Sequence, residues 1–212
     1  MTKNRLQLTV YTDYKSPYAY VAKNAAKALA LEYPVALTWL PYTLRIAEYL
    51  DAVDARSAHN WRKVKYAYMD ARRLANRQGL VLKGPKRIYE GRLSSIGMLF
   101  AQKAGFFDAY HDLTFERFWR HDLDIDSMDE MKAHVALLGG SAADYGRYVD
   151  GPGDAEHRSI VEAAEAAGVF GVPTMVFDGE LFWGGDRVDA LKRRIEDRLE
   201  AGGAAARSAG RR

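Results

Sequence analysis

The stretch Leu6–Leu40, LQLTVYTDYKSPYAYVAKNAAKALALEYPVALTWL, contains a complete unit of secondary structure. Its first six residues alternate apolar and polar side chains and are rich in strand formers, so they predict a strand. Ser16 and Pro17 then occupy the N-cap and first position of a helix that extends from Tyr18 to about Tyr33. The last six residues predict a second strand. This order predicts two parallel strands joined by a right-handed crossover.

The C-terminal part of the chain predicts a helix, two strands and a helix. Asp154–Ala167 has helical spacing, and Val169–Phe177 and Glu180–Trp183 are rich in strand formers. Asp178-Gly179 between these strands is a two-residue turn of the kind that joins antiparallel strands. Asp186 is predicted to cap a final helix that ends near Leu199.

The segment between these two units predicts helices and no strand. Its apolar residues recur at helical spacing, and Gly-rich or Asp-rich turns interrupt them. The predicted helices are Trp61–Gln78, Ser94–Ala104, Phe107–Trp119, Ser127–Leu138 and Ala142–Tyr148.

The order βαβ followed by ββα is that of the thioredoxin fold, so we expect an α/β protein of this class with a large all-helical insertion. Residues 5–44 and 155–200 are predicted to form a discontinuous thioredoxin-like domain, and 45–154 a helical insertion domain. Redox members of this fold carry Cys-x-x-Cys where the first strand meets the first helix. Here that place reads Ser16-Pro17-Tyr18-Ala19, and the chain has no cysteine. The composition therefore excludes disulfides, thiolate metal sites and thiol-disulfide exchange by the protein itself.

The net charge of +3 and the pI near 9.0 arise from the C-terminus. Three of the 31 basic residues lie in the last twelve positions, and the remainder of the chain has as many basic as acidic residues. We therefore predict a disordered basic tail at 201–212 and no nucleic-acid partner. No window is long and apolar enough for a membrane span, and no signal-peptide pattern is visible, so we expect a cytoplasmic protein without a membrane partner.

Five blocks of sequence resemble a known family when they are taken together and in order. The blocks are Asp13-x-x-Ser16-Pro17-Tyr18-x-Tyr20-x-Ala22, Pro41-x-x-Leu44, Lys65-Tyr66…Asp70-x-x-Arg73, Gly168-Val169-Phe170-Gly171-Val172-Pro173-Thr174-Met175 and Phe182-Trp183-Gly184-Gly185-Asp186-Arg187. Over about residues 6–195 the chain resembles the 2-hydroxychromene-2-carboxylate isomerases. These are glutathione-dependent relatives of kappa-class glutathione transferases with a DsbA-like architecture.

The resemblance implies an enzyme with glutathione as its cofactor. Its thiolate would add reversibly to an aromatic or conjugated carboxylic acid, bond rotation would follow, and elimination would return glutathione unchanged. A small-molecule substrate is then the main partner, and a homodimer stays open because relatives often dimerise. Two alternatives remain: glutathione transfer without isomerisation, as in the kappa class, and a non-catalytic DsbA-like binding module.

Ser16 has both a structural and a catalytic interpretation. As a plain N-cap it contributes about 1 kcal/mol. As a hydrogen-bond donor it would stabilise the glutathione thiolate, because lowering a thiol pKa from about 8.5 by two units needs about 2.7 kcal/mol. A hydrogen bond to a charged group contributes about 1.5–3 kcal/mol, and a helix N-terminus adds about 0.3–1 kcal/mol. The resemblance favours the second role.

Val172-Pro173 is predicted to contain a cis peptide bond at the turn into the third strand. In the family the residue before this proline contacts glutathione, and the N–H and C=O of Val172 would pair with the tripeptide backbone. The segment Trp183-Gly184-Gly185-Asp186-Arg187 is explained by a turn and a cap alone. The resemblance also places the γ-glutamyl end of glutathione there, on free amides at a helix start.

The acceptor half of the predicted site is less defined. Lys83, Lys86, Arg87 and Arg92 cluster in a loop that is interpreted either as solvated or as binding the carboxylate of the substrate. In this region the chain departs from the family pattern, as it does at Gly185, where many relatives have Asn. The five His residues show no metal-ligand spacing, and we interpret His111 as a surface or capping residue.

Overall fold

A four-stranded mixed sheet organises the fold in the computed structural model, which describes residues 5–52 and 54–209. The strand order is β2-β1-β3-β4, with β1 at Leu6–Thr12, β2 at Val35–Pro41, β3 at Thr174–Phe177 and β4 at Glu180–Trp183. β1 pairs with β2 in parallel, whereas β1–β3 and β3–β4 are antiparallel. The predicted thioredoxin-like architecture is therefore confirmed.

Helices follow the predicted order. Their bounds are α1 Pro17–Glu32, α2 Ile46–Leu50, α3 Ala58–Arg77, α4 Arg92–Ala104, α5 Phe107–Arg120, α6 Met128–Leu137, α7 Ala142–Val149, α8 Pro152–Ala166 and α9 Val188–Ala209. The segment 45–151 contains no strand among its described residues. The boundary predicted between residues 154 and 155 falls inside α8.

Local chemistry explains the two turns that define the sheet. Ser16 is the N-cap of α1, where its hydroxyl accepts a hydrogen bond from the Ala19 amide, and Pro17 occupies the first helical position. Asp178 and Gly179 both have positive φ, 51° and 78°, which is the conformation of a tight hairpin between β3 and β4.

One hydrophobic core joins the sheet to the helical segment. Leu8 and Val10 of β1 belong to the same buried cluster as Phe115 and Trp119 of α5. Tyr20 of α1 stacks on both of these α5 rings, at centroid distances of 5.4 and 6.2 Å. The helical segment therefore packs against β1 and α1 through this shared core.

His111 is fully buried, so its interpretation as a surface or capping residue was wrong. Its ring lies among Trp39, Phe107 and Phe115, and its Nδ1 is 3.2 Å from the Tyr14 hydroxyl oxygen. Burial lowers the pKa of His111 to about 3, so the ring is neutral at physiological pH. It is an aromatic member of the core.

The third strand begins at Thr174, directly after Pro173, as predicted. Two further elements differ from the prediction. The short helix Ile46–Leu50 was not predicted. The final helix continues to Ala209, so the predicted disorder is wrong for 201–209, whose alanines favour a helix. Residues 210–212 lie outside the described residues. No helix of the described chain is long and apolar enough to cross a membrane.

Candidate functional site

The turn between β1 and α1 is fixed by a buried carboxylate. Asp13 is fully buried and accepts hydrogen bonds from the backbone amides of Lys15, at 3.1 Å, and Leu44, at 2.8 Å. Its Oδ2 is also 2.7 Å from Lys15 Nζ, whose side chain is only 5% exposed. Lys15 Nζ donates a further hydrogen bond to the Glu90 carbonyl, at 2.7 Å. This network holds Ser16 in place and ties the turn to the helical segment.

Ser16 faces the cis peptide bond that precedes β3. The Val172-Pro173 bond is cis, as predicted. The Ser16 hydroxyl donates to the Val172 carbonyl at 3.4 Å, a long bond that is weaker than typical ones. The hydroxyl is therefore free to turn to a better acceptor without losing a strong hydrogen bond.

A cavity of about 620 Å³ opens beside this peptide bond. We call it the cis-proline cavity, and its lining comes from α1, α3, the cis-proline turn and the segment before α9. Its lining residues are Tyr18, Val21, Ala22, Ala25, Asp70, Leu74, Gln78, Val172, Pro173, Trp183, Gly184, Gly185, Asp186 and Arg187. Cavities of this volume are typical of sites for small ligands.

The segment after β4 reaches α9 through a short 3-10 turn at Gly185–Arg187. Gly184 is its N-cap residue, with a φ of 103° that favours glycine, and no side chain caps the turn. The predicted capping role of Asp186 was therefore wrong, since Asp186 lies inside the turn. A β-carbon on Gly185 would lie 3.0 Å from the Ala22 methyl group, so the chain approaches α1 closely here.

Two polar side chains of the cis-proline cavity were not assigned a role from sequence. Asp70 accepts a hydrogen bond from the Tyr18 hydroxyl at 3.0 Å. Burial, followed by this hydrogen bond, raises the pKa of Tyr18 to about 12. Gln78 donates to the Val21 carbonyl at 2.8 Å. Asp70, Leu74 and Gln78 are four residues apart, which is the spacing of one helix face and the signal that identifies them.

A second cavity, of about 540 Å³, lies on the other side of α3. We call it the basic cavity, because six of its lining residues are basic and none is acidic. The lining residues are Lys15, Ile46, Leu50, Arg56, Trp61, Val64, Lys65, Tyr68, Met69, Arg72, Gly84, Pro85, Lys86, Arg87, Ile88 and Tyr89. Apart from the charges, its walls are aliphatic and aromatic.

Ser16 lies between the two cavities along the chain. Lys15 lines the basic cavity, whereas Tyr18 lines the cis-proline cavity. The two cavities also share α3, which presents Asp70 to one and Tyr68 to the other. In sequence, Ser16 therefore lies between a residue of each cavity, and it lines neither of them.

The family to which the chain belongs follows from comparison with known proteins. The DSBA-like thioredoxin domain matches residues 7–196. The chain belongs to this DSBA-like family. The match covers both halves of the sheet and the helices between them.

Curated relatives of this DSBA-like chain include two proteins named 2-hydroxychromene-2-carboxylate isomerase. The one from Pseudomonas putida is 26% identical over 186 residues, which cover 86% of this chain and 90% of the relative. The one from Sphingobium xenophagum is 26% identical over 201 residues, which cover 93% of this chain and all of the relative. The resemblance seen in the sequence is thereby confirmed.

Solved structures show the same fold. A structure of 2-hydroxychromene-2-carboxylate isomerase matches with a TM-score of 0.77 at 23% identity, covering 94% of this chain and 99% of that one. A probable DsbA oxidoreductase from Streptomyces coelicolor matches with a TM-score of 0.75 at 14% identity, covering 92% and 91%.

The DSBA-like fold brings most of the predicted site residues together. Val172, Pro173 and Trp183–Arg187 all line the cis-proline cavity. Ser16 is not part of that lining, and it touches the cavity wall through the Val172 carbonyl. The contact between Ser16 and Val172 therefore connects the predicted site of the sulfur, at Ser16, with the other predicted glutathione-binding residues, which line the cavity.

The four predicted cations of the acceptor half do not act together. Lys86 and Arg87 line the basic cavity, but Lys83 donates to the Arg120 carbonyl and Arg92 pairs with Asp154. Three cations that sequence reasoning did not assign to the site, Arg56, Lys65 and Arg72, line the cavity with them. The helical spacing of the last two, seven residues apart on α3, places them on one face.

Proposed function

We propose that this protein is a glutathione-dependent isomerase of aromatic or conjugated carboxylic acids. The observation that carries the proposal is the contact of Ser16, a buried N-cap hydroxyl, with the carbonyl of Val172, a residue that lines the cis-proline cavity. The relatives named 2-hydroxychromene-2-carboxylate isomerase support the reaction type.

The cis-proline cavity fits a γ-glutamyl tripeptide by its donor set. Within the described chain, the amides of Val172, Gly185 and Asp186 have no hydrogen-bond partner, so they are available to peptide carbonyl and carboxylate oxygens. The carboxylates of Asp70 and Asp186 suit an ammonium group. The absence of side chains at Gly184 and Gly185 lets a ligand approach the backbone closely.

Ser16 would hold the sulfur of this ligand. When bound, glutathione supplies the nucleophilic thiolate that adds reversibly to the conjugated acid. The Ser16 hydroxyl turns from the weak bond with Val172 to donate to that sulfur, and the N-terminus of α1 favours negative charge at the same place. Together these two effects supply the roughly 2.7 kcal/mol that two units of thiol pKa require.

The acceptor acid would occupy the basic cavity. Its aromatic and aliphatic walls bury a conjugated ring system, and its cations bind a carboxylate. Lys15 places this cavity next to Ser16 in the chain. The residues of the cavity thus orient the acceptor and hold its charge, and they provide no nucleophile of their own.

The test measures bound glutathione directly. Glutathione is titrated at millimolar concentration by calorimetry, and the ultraviolet absorbance of its thiolate is recorded in the wild type and in Ser16→Ala. We expect the thiolate-to-thiol ratio of bound glutathione at neutral pH, obtained from this absorbance, to fall at least tenfold in Ser16→Ala, which corresponds to about 1.4 kcal/mol. Ser141→Ala is the matched control, because Ser141 is the N-cap of α7 with a similar hydrogen bond, 3.2 Å from the Asp144 amide.

Activity completes the test with 2-hydroxychromene-2-carboxylate as substrate. We expect conversion that depends on glutathione and leaves its amount unchanged. A stable conjugate would instead indicate a transferase. If glutathione does not bind at all, or if Ser16→Ala and Ser141→Ala have equal thiolate signals, the proposal is wrong.

A further inference from the structure

Four basic side chains of the basic cavity have no carboxylate partner within the described residues. They are Arg56, Lys65, Arg72 and Lys86. Arg56 and Arg72 bond only to carbonyl oxygens, those of Leu50, Asp51 and Leu82. The cavity thus combines several unneutralised positive charges with an apolar wall.

The other two cations of the cavity are neutralised. Lys15 pairs with Asp13, and Arg87 binds both Asp124, at 2.9 Å, and Asp126, at 2.9 Å. Ion pairs therefore divide the six cations of the cavity into two that are neutralised and four that have no carboxylate partner among the described residues.

The unpaired cations are spread along the cavity. Lys65 and Arg72 are two turns apart on α3, which places their backbones about 10 Å apart along the helix axis. Arg56 lies near the Lys65 end, since its guanidinium is 4.8 Å from the ring of Trp61, one turn before Lys65. Between the ends, the wall is formed by apolar groups that include Tyr68. Separated charges of this kind match separated anionic groups better than a single carboxylate.

We infer that the acceptor of this protein is an elongated aromatic acid with at least two carboxylates, one toward the Arg56–Lys65 end of the basic cavity and one toward Arg72. This inference rests on the proposed function and narrows its substrate class from acids in general to dicarboxylates. A second carboxylate gains a charge-assisted hydrogen bond in a cavity that presents no acidic side chain to repel it. An acid with one carboxylate leaves one end of the cavity without a counter-charge.

The experiment compares two matched probes by calorimetry at low ionic strength. The probes are biphenyl-4-carboxylate and biphenyl-4,4′-dicarboxylate, which share one ring system and differ by one charge. We expect the dicarboxylate to bind at least tenfold more tightly, a difference of about 1.4 kcal/mol. The preference should decrease as salt is raised, since the cations are solvent-accessible.

Substitutions that each remove one positive charge then show which cations cause the preference for the dicarboxylate. Lys65→Gln and Arg72→Gln should each remove most of the preference for the dicarboxylate. Lys63→Gln is the control, because Lys63 lies on the same helix, is exposed and lines neither cavity. Equal affinities of the two probes in the wild type would overturn the inference. So would a preference that survives both cavity variants or falls equally in Lys63→Gln.

Glutathione titration of the same proteins separates the two proposals. Glutathione binding without a dicarboxylate preference overturns the substrate class and supports the proposed function. A dicarboxylate preference that needs Lys65 and Arg72, without any glutathione binding, overturns the proposed function and supports the ligand class of the basic cavity.

Discussion

The cis-proline cavity and the basic cavity lie on two sides of α3 and differ in the chemical groups that line them. The first combines backbone groups at Val172, Gly184 and Gly185 with polar side chains, namely two carboxylates, one guanidinium, the Tyr18 hydroxyl, the Gln78 amide and the Trp183 indole. The second presents side-chain cations on apolar walls. The backbone groups of the first cavity are fixed by the fold, whereas the cations of the second change with single substitutions. The first is therefore suited to a constant cofactor and the second to a particular substrate.

The largest effect is expected from removing the buried ion pair of Asp13 and Lys15, which lies in the turn before Ser16. In Asp13→Asn the buried ammonium of Lys15 loses its counter-charge, and we expect the free energy of unfolding to fall by about 3–5 kcal/mol. Urea denaturation measures the loss. Because Asp13 also binds the Leu44 amide, binding to both cavities should weaken together.

The pair Arg45–Glu48 is the control for this prediction, since both of its side chains are more than half exposed. Glu48→Gln should change the stability by less than about 0.5 kcal/mol. The double variant Asp13→Asn with Lys15→Met removes both charges and should recover much of the loss. If Asp13→Asn is as mild as Glu48→Gln, the buried pair does not organise the turn.

The sequence predicted the cis-proline cavity far better than the basic cavity, and the reason is physical. Ser16-Pro17 and Val172-Pro173 act through local geometry, a helix start and a turn before a strand, so their positions follow from short-range rules. Once β1 pairs with β3, Tyr11 lies opposite Thr174, and the two turns that follow and precede these residues meet. The contact between Ser16 and Val172 is then a consequence of the fold.

The basic cavity depends on long-range choices that no local pattern reveals. Arg87 and Lys86 are neighbours in sequence, yet one is held by Asp124 and Asp126 and the other has no partner among the described residues. Which cation is neutralised depends on a turn almost 40 residues away. Arg56 likewise enters the site through a loop whose course follows from tertiary packing.

An intermediate effect is expected from blocking one cavity alone. In Gly185→Val the new side chain meets Ala22, whose methyl group is 3.0 Å from the position of a β-carbon on residue 185. Glutathione affinity should fall at least tenfold, about 1.4 kcal/mol, while the affinity for the biphenyl dicarboxylate stays the same. Calorimetry with each ligand measures both.

Removing the clash tests the cause of this effect. Adding Ala22→Gly to Gly185→Val makes room for the new side chain and should restore part of the glutathione affinity. The glycine in α1 costs about 1 kcal/mol of stability, so thermal unfolding is recorded for each variant. If Gly185→Val lowers the affinities for glutathione and for the biphenyl dicarboxylate equally, the two cavities do not bind their ligands independently.

The smallest expected effect separates a cation that binds ligand from one that supports the loop. Lys86→Gln should lower the affinity for the biphenyl dicarboxylate about two- to threefold without a change in stability, because an exposed charge pair contributes less than about 1 kcal/mol.

Arg87→Gln should instead lower the stability and leave the affinity for the biphenyl dicarboxylate nearly unchanged. Its guanidinium lies 4.1 Å from the ring of Tyr89 and is held by two carboxylates, so its loss lowers stability by about 0.5–1 kcal/mol and leaves the affinity within twofold. The two residues are adjacent and each substitution removes one positive charge, so both variants change the long-range electrostatic potential at the cavity to the same extent. A larger loss of affinity in Arg87→Gln would show that the ion pairs of the basic cavity open for the ligand, and that pairing does not identify its binding cations.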